Sequence, residues 1–431
     1  MSIRQLWVAT SLGLALPALA QLVQAPAALT ATAGPATTVS LPQALQAARS
    51  NLDVSLARRA LAAARGDVTA ADHGPAPTIN TRASSIDLQK GVGGGNLFSQ
   101  KRIDKSIGID WTLERGNKRE LRTRAAERSA SAAAADIDDV LVQQQLATAS
   151  AYFDLLATQE RIVEVGEISR SAAQLANTAA RRVQAGDLSA QDAARTEIEA
   201  QRASTDLLTA QLDRQRAALA LTQLTGLVSP NSLVAERDWP QRLAEDAASD
   251  TNAVMPSVDA RPEVRAAQQR LEAAQAALDV ASAQKKADVT VGTSYDHFPG
   301  TSTRLLEVRL QMPLYGILGG YNFQGEIARA QAQLSLAQDT LEKTRRAAGA
   351  DLQRLQQDRQ GAAVRALSYE TAILPRARKV AQMAELAYSK GAMSLTELID
   401  ARRTLRTILI EDLAARTDHA KAATAWQLRQ P

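Results

Sequence analysis

The side chains in this sequence whose types and spacing could do chemistry cluster at two helix breaks. One break reads Tyr388-Ser-Lys-Gly-Ala-Met-Ser-Leu-Thr-Glu-Leu-Ile-Asp-Ala401, and a second, 205 residues earlier, reads Val183-Gln-Ala-Gly-Asp-Leu-Ser-Ala-Gln-Asp-Ala-Ala-Arg-Thr196. Gly186 falls on Gly391, Ser189 on Ser394 and Asp192 on Glu397. The chemistry available there is electrostatic. Carboxylates brought close together attract cations and raise some of one another's pKa values. A phenol bonded to a carboxylate makes a charge-assisted contact.

Covalent and metal chemistry have little to work with. Cysteine is absent, which excludes disulfides, thiolate metal sites and a lipid-bearing N-terminal cysteine. His73, His297 and His419 have no second ligand at i+3 or i+4 and read as strand-end or surface histidines. Gly91-Val-Gly-Gly-Gly95 lacks the Gly-Lys-Ser/Thr of a phosphate loop, and no nucleophile elbow is present. No enzyme, cofactor or metal centre is expected. The formal charge of +4 comes from 50 basic and 46 acidic residues spread throughout, so nucleic acid is not an expected partner either.

The elements that must position the two breaks are long helices. Aromatic residues make up 3% of the 431, while Ala, Gln, Arg and Leu dominate. From Lys118 to Ala185 there is no proline and only Gly166 interrupts. About 68 helical residues would reach roughly 100 Å, a coiled-coil length. The chain returns from Asp187 to Thr225, with Leu208, Leu212 and Leu219 on one face. A second such hairpin runs from Gln324 to Lys390 and back from Leu395 to Trp426, with Pro375 expected to kink or break it. A motif repeated at this separation predicts two copies of one unit.

Each helical hairpin follows a strand hairpin. In Ile103-Asp-Lys-Ser-Ile-Gly-Ile-Asp-Trp-Thr-Leu113, Ile107, Ile109, Trp111 and Leu113 alternate with polar residues, the period of a strand with one apolar face. Thr78 to Leu88 is its weaker partner. The second half alternates through Val289, Val291 and Tyr295, turns at Pro299-Gly300, and alternates again through Leu306, Val308, Leu310, Met312 and Leu314. Ten-residue strands with an apolar face toward lipid and a polar face toward a lumen fit a transmembrane barrel. Four strands cannot close one, since the smallest need about eight, and open edges in lipid are prohibitive. Several protomers must therefore share a barrel, and three would supply twelve strands.

The expected organisation is α+β. It has a signal peptide at 1–20 (Arg4, an apolar core from Leu6 to Leu16, and Ala18-Leu19-Ala20 for cleavage) and a flexible leader at 21–40. A first repeat follows at 41–227, with its strand hairpin at 78–113 and its tip near 186. A connector spans 228–260, and a second repeat 261–428 has its hairpin at 288–315 and its tip near 391. Before the first hairpin, Leu45, Ala48, Leu52, Leu56 and Ala60 step along one helix face that stops near Gly74-Pro75.

Nearly everything after residue 40 resembles the TolC family of outer-membrane efflux proteins. The resemblance lies in Leu41-Pro-Gln-Ala-Leu45, Asp259-Ala-Arg-Pro-Glu-Val264, Leu271-Glu-Ala-Ala274, Met312-Pro-Leu-Tyr315 with Gly319-Gly320, Ile327-Ala-Arg-Ala330 and the two glycine tips. It implies a homotrimer with a 12-stranded barrel in outer-membrane lipid and a helical tunnel across the periplasm. It also implies service as exit duct for an inner-membrane RND-type pump and a periplasmic adaptor. Thr112-Leu-Glu-Arg-Gly-Asn-Lys-Arg119 is similar to the E-x-G-G-K-R stretch of heavy-metal cation exporters, with Asn117 in place of the second glycine. That similarity leans the substrate toward metal cations. Drug or organic-solute efflux and type I protein secretion are the alternatives, with a periplasmic coiled-coil protein lacking a pore further off. Carried over residue by residue, the resemblance puts Glu397 and Asp400 in acidic rings at the periplasmic entrance. It makes Tyr388 and Asp192 a tether between neighbouring helices that holds the entrance closed. Met393 stands where a closing arginine would be expected.

Overall fold

Side-chain period sorts this chain into two kinds of structure: period-two segments that pair into one sheet, and alanine-rich runs that form long helices. In the computed structural model, the described residues are 37–86, 89, 103–227, 233–241, 243–248, 257–298, 302–314 and 321–430. The expected signal peptide, the leader up to residue 36, the Gly91–Gly95 loop, Pro299-Gly300, Tyr315 and Gly319-Gly320 lie outside them.

The chain opens with β1 (Thr37–Val39), α1 (Leu41–Ala48) and α2 (Leu52–Ala71). The strands β2 (Thr78–Ser84) and β3 (Asp104–Leu113) come next, then α3 (Lys118–Gln184) and α4 (Ala190–Thr225). After β4 (Leu233–Ala235) and α5 (Leu243–Ala247) the pattern recurs in α6 (Pro262–Ala283), β5 (Val289–Phe298) and β6 (Ser302–Gln311). The chain finishes with α7 (Gln324–Ser368), α8 (Leu374–Ser389) and α9 (Leu395–Arg429). Among the described residues, no helix is long and apolar enough to cross a membrane.

The 67 residues of α3 run unbroken through Gly166 and reach about 100 Å. Alanines such as Ala149, Ala179, Ala210, Ala218, Ala363 and Ala366 are buried along the helices, so neighbouring backbones approach closely. Pro375 does not break its helix. A five-residue π turn, Tyr369–Ile373, precedes it, and the proline falls in the first turn of α8. Shifting the bond register just ahead of the proline lets the chain run on without the N–H that proline lacks.

Two expectations near the N-terminus need correction. The periodic face through Leu52 and Leu56 points outward, with those residues 78% and 63% exposed, while Val54 is fully buried. The helix breaks at Arg49–Asn51, where Asn51 caps α2 and donates its side-chain amide to Leu224 O at 2.8 Å, and the break rotates the inward face. The end of the leader is also ordered: β1 pairs in parallel with β4, inside the segment expected to be an irregular connector. These strands cover the main core, where Tyr152, Phe153, Leu155, Leu156, Leu221 and Leu233 are buried together. Trp239 stacks on Phe153 at 6.1 Å and donates its indole N–H to Glu160 at 2.9 Å. Burial drives the Tyr152 phenol up to about 12, and its hydroxyl donates to Glu236 O at 2.7 Å.

The second unit is anchored by Arg261, just ahead of Pro262. Its buried guanidinium donates to Ala348 O at 3.0 Å and to Asp351 at 2.9 Å, and pairs with Glu263 at 2.5 Å, which fixes the start of α6 against α7.

The four long strands form one antiparallel sheet in the order β2-β3-β5-β6. Register lines up its apolar side chains in rows: Ile79, Ile109, Thr293 and Val308; Trp111, Val291 and Leu310; Ile107, Tyr295 and Leu306. These side chains are exposed, with Leu306, Val308 and Leu310 at 72–75% and Trp111 at 56%, so no described residue covers this face. The opposite face is polar. There Arg309 of β6 crosses β5 to Asp110 of β3 at 2.7 and 2.8 Å, and Asp110 also accepts from Asn80 of β2. The crossing passes over Gly292, where an added Cβ would lie 2.2 Å from Asp110 Oδ1. Gly292→Val should break this clasp and cost about 1–3 kcal/mol. Thermal unfolding in detergent checks it, with Gly66→Ala, at a helical site with no neighbouring atom within 4 Å, as the harmless control.

Candidate entrance at the helix tips

Both tips are built from the same local physics. Helices α3 and α8 end on Gly186 (φ +81°) and Gly391 (φ +72°), in the left-handed conformation that only glycine adopts cheaply. Asp187 N donates to Arg182 O at 2.8 Å and Ala392 N to Ala387 O at 2.9 Å, the six-residue closure that ends a helix at such a glycine. Ser189 and Ser394 then cap the returning helices, accepting from Asp192 N at 3.1 Å and Glu397 N at 3.3 Å. Glu397 completes a capping box by accepting from Ser394 N at 2.9 Å and Ser394 Oγ at 2.7 Å. These bonds hold its carboxyl below the ordinary glutamate range. Crowding was expected to raise carboxyl pKa values where three copies meet; within one protomer the cap acts in the opposite direction.

Glu397 and Asp400 lie on one exposed face of α9, opposite the buried Leu395, Leu398 and Ile399. Asp400 sits 3.6 Å from Arg403. Met393, Leu175, Leu188 and Tyr388 pack against that buried cluster, so Met393 supplies apolar cover where the resemblance implied a cation. Within the protomer Tyr388 and Asp192 have separate partners. Arg182 donates to the Tyr388 hydroxyl at 3.3 Å, with its guanidinium 5.5 Å from the ring centre. Asp192 accepts from Ser189 Oγ at 2.8 Å and lies 4.0 Å from Arg195. Arg195 itself crosses to Thr396 Oγ1 at 3.1 Å, joining the first tip to the second. Sequence reasoning missed Arg182 and the crossing role of Arg195, because neither shows in a one-helix pattern. The spacings Ser-x-x-Asp and Ser-x-x-Glu carry a capping signal that sequence reasoning did not use.

The histidines divide. His73 is exposed and lies 2.7 Å from Thr69 O. His419 corrects the surface expectation: it is buried and pairs with Asp246 at 2.9 Å, pinning α5 to α9. Among the described residues, no group of three or more potential ligands could hold a metal ion.

A family profile described as "Outer membrane efflux protein" matches residues 43–227, from α1 to just past α4. That match covers the first of the two helical hairpins and the elements before it. It is 27% identical to the cobalt-zinc-cadmium resistance protein CzcC of Cupriavidus metallidurans, over 88% of this chain and 86% of that one. It is 26% identical to the pyoverdine export outer membrane protein OpmQ of Pseudomonas putida, over 85% and 80% of the two chains. The fold matches that of the Campylobacter jejuni CmeC outer membrane channel with a TM-score of 0.71 at 13% identity, covering 90% of this chain and 85% of that one. The chain therefore has the fold of a solved outer membrane channel.

In this chain the stretch Glu114 to Arg119 is a structural joint. Glu114 pairs with Arg122, Arg115 N donates to Asp288 at 3.0 Å, and buried Lys118 reaches the same Asp288 at 2.8 Å. Gly116 (φ +79°) and Asn117 (φ +56°) both sit in the left-handed region. Asparagine tolerates that conformation better than other side chains, so it can stand where the exporter motif has glycine.

Proposed function

We propose that three copies of this chain form one duct, with a 12-stranded barrel in the outer membrane and a helical tunnel that receives heavy-metal cations. Those cations are delivered by an inner-membrane RND-type pump through a periplasmic adaptor. The observation that carries the trimer is the sheet. Its four strands have one uncovered apolar face and edges at β2 and β6, which in lipid require partners from other protomers. Three equivalent copies close the sheet at twelve strands. Support for the cargo comes from the likeness to a cobalt-zinc-cadmium resistance protein and from the Glu114–Arg119 joint. In this duct Glu397 and Asp400 form acidic rings at the periplasmic mouth. Tyr388 and Asp192 lie beside it at the helix tips. Export of an organic solute is the second assignment, favoured by the likeness to the pyoverdine exporter.

Deleting the gene should lower the cobalt, zinc and cadmium concentrations that halt growth, with restoration by the intact chain. Sensitivity to organic toxicants alone, with metal tolerance unchanged, transfers the cargo to the second class.

A further inference from the structure

Where the sheet meets the helices, its apolar face ends beside two cations that have no counter-charge. Arg115 follows Trp111 and Leu113 at every second position and lies over Met312 of the same face, with Nη1 3.7 Å from the sulfur. A thioether offers a guanidinium only a weak acceptor. The carboxylates of this segment are engaged elsewhere. Glu114 pairs with Arg122, and Asp288 accepts from the Arg115 backbone N–H and from Lys118. Lys286 reaches the same level, because its stem crosses Gly116, where an added Cβ would collide with Lys286 Cδ. Both cations are exposed. Among the described residues neither is in an ion pair, and residues 315–320, which come soon after β6 in sequence, include no acidic side chain. Exposed cations at the rim of an exposed apolar surface are complementary to an amphiphile with an anionic head.

Strand length sets the depth of this rim. The ten residues of β3 span about 33 Å, and a tilt near 40° projects them onto about 25 Å, the height of a lipid-facing band. Arg115 stands two residues beyond Leu113, the last residue of β3, which carries it about 5 Å past that band and into the headgroup layer. We propose that Arg115 and Lys286 bind the phosphodiester of an anionic phospholipid in the periplasmic leaflet, with its acyl chains along Leu113 and Met312. Three copies set six such cations in a collar at the base of the barrel. This proposal rests on the membrane barrel of the duct above.

Native mass spectrometry of the full-length protein, titrated with phosphatidylglycerol or with phosphatidylcholine, tests it. The parent should retain phosphatidylglycerol more tightly. Arg115→Gln and Lys286→Gln should each weaken that retention about fivefold, the worth of one cation near an anionic surface, and leave phosphatidylcholine unchanged. Arg115→Lys keeps the charge and should stay within about twofold of the parent, while Arg378→Gln, on α8 toward the tip, should have no effect. Equal retention of the two lipids by the parent overturns the collar. So does parental affinity in both glutamine variants, or a loss in Arg115→Lys as large as in Arg115→Gln. Reconstitution separates this from failure of the barrel: a parent that does not enter phosphatidylcholine vesicles removes the barrel, whereas one that enters without preferring the anionic lipid removes only the collar.

Discussion

Glu397→Gln with Asp400→Asn is expected to abolish most of the block that multivalent cations exert on the pore. Glutamine is the informative replacement, because it can keep the reciprocal bond of the capping box with Ser394 while losing the charge. Alanine would remove the cap as well and confuse a change in entrance charge with fraying of α9. In the proposed trimer, six carboxylates at one mouth would bind a divalent or trivalent ion through summed Coulomb attraction, which water screens but does not erase. Neutralising them should raise the half-blocking concentration of a trivalent cation by at least about tenfold. Single-channel recordings with increasing trivalent ion on the periplasmic side measure it. Unchanged block would place the two residues away from the constriction. The cap lowers the Glu397 carboxyl pKa, so its share of the block should be lost at lower pH than for a glutamate outside a capping box.

Val308→Arg is expected to prevent assembly in the outer membrane. Val308 is 73% exposed in the centre of the apolar face, in a row with Ile79, Ile109 and Thr293. A lipid-facing arginine near the bilayer midplane costs about 2–4 kcal/mol, and a trimer carries it three times. The neighbouring Glu307 points to the other face, so Glu307→Arg should assemble normally and alter only ion selectivity. Fractionation of outer membranes, with heat-resistant trimer migration as the readout, separates the two. Normal assembly of Val308→Arg would show that this face does not meet lipid.

The parts of this protein that follow from short-range periodicity were legible residue by residue. Alternation from Ile103 to Leu113 and from Val289 to Leu314 marks strands that the fold has at Asp104–Leu113, Val289–Phe298 and Ser302–Gln311. Absence of proline from Lys118 to Ala185 predicts the helix that runs Lys118–Gln184. Where the signal depended on a partner, it failed. The apolar spacing through Leu52 and Leu56 was indistinguishable from a buried face until Asn51 broke the helix. Three-residue β1 and β4 carry too few residues to show a period, and each is a strand only because the other lies beside it. Pro375 would end an isolated helix, yet neighbouring helices hold its turn in a π register.

By itself, then, the sequence determined the element types, the glycine and serine chemistry of both tips, and the apolar face of each long strand. Those properties arise from backbone sterics and side-chain alternation within a few residues. Tertiary structure alone decided which polar side chains meet: Arg182 with Tyr388, Arg195 with Thr396, Arg403 with Glu199 and Arg406 with Asp206, all about 200 positions apart. Each long helix presents many equivalent arginines and carboxylates. Only the packing of the two hairpins selects the ones that face each other.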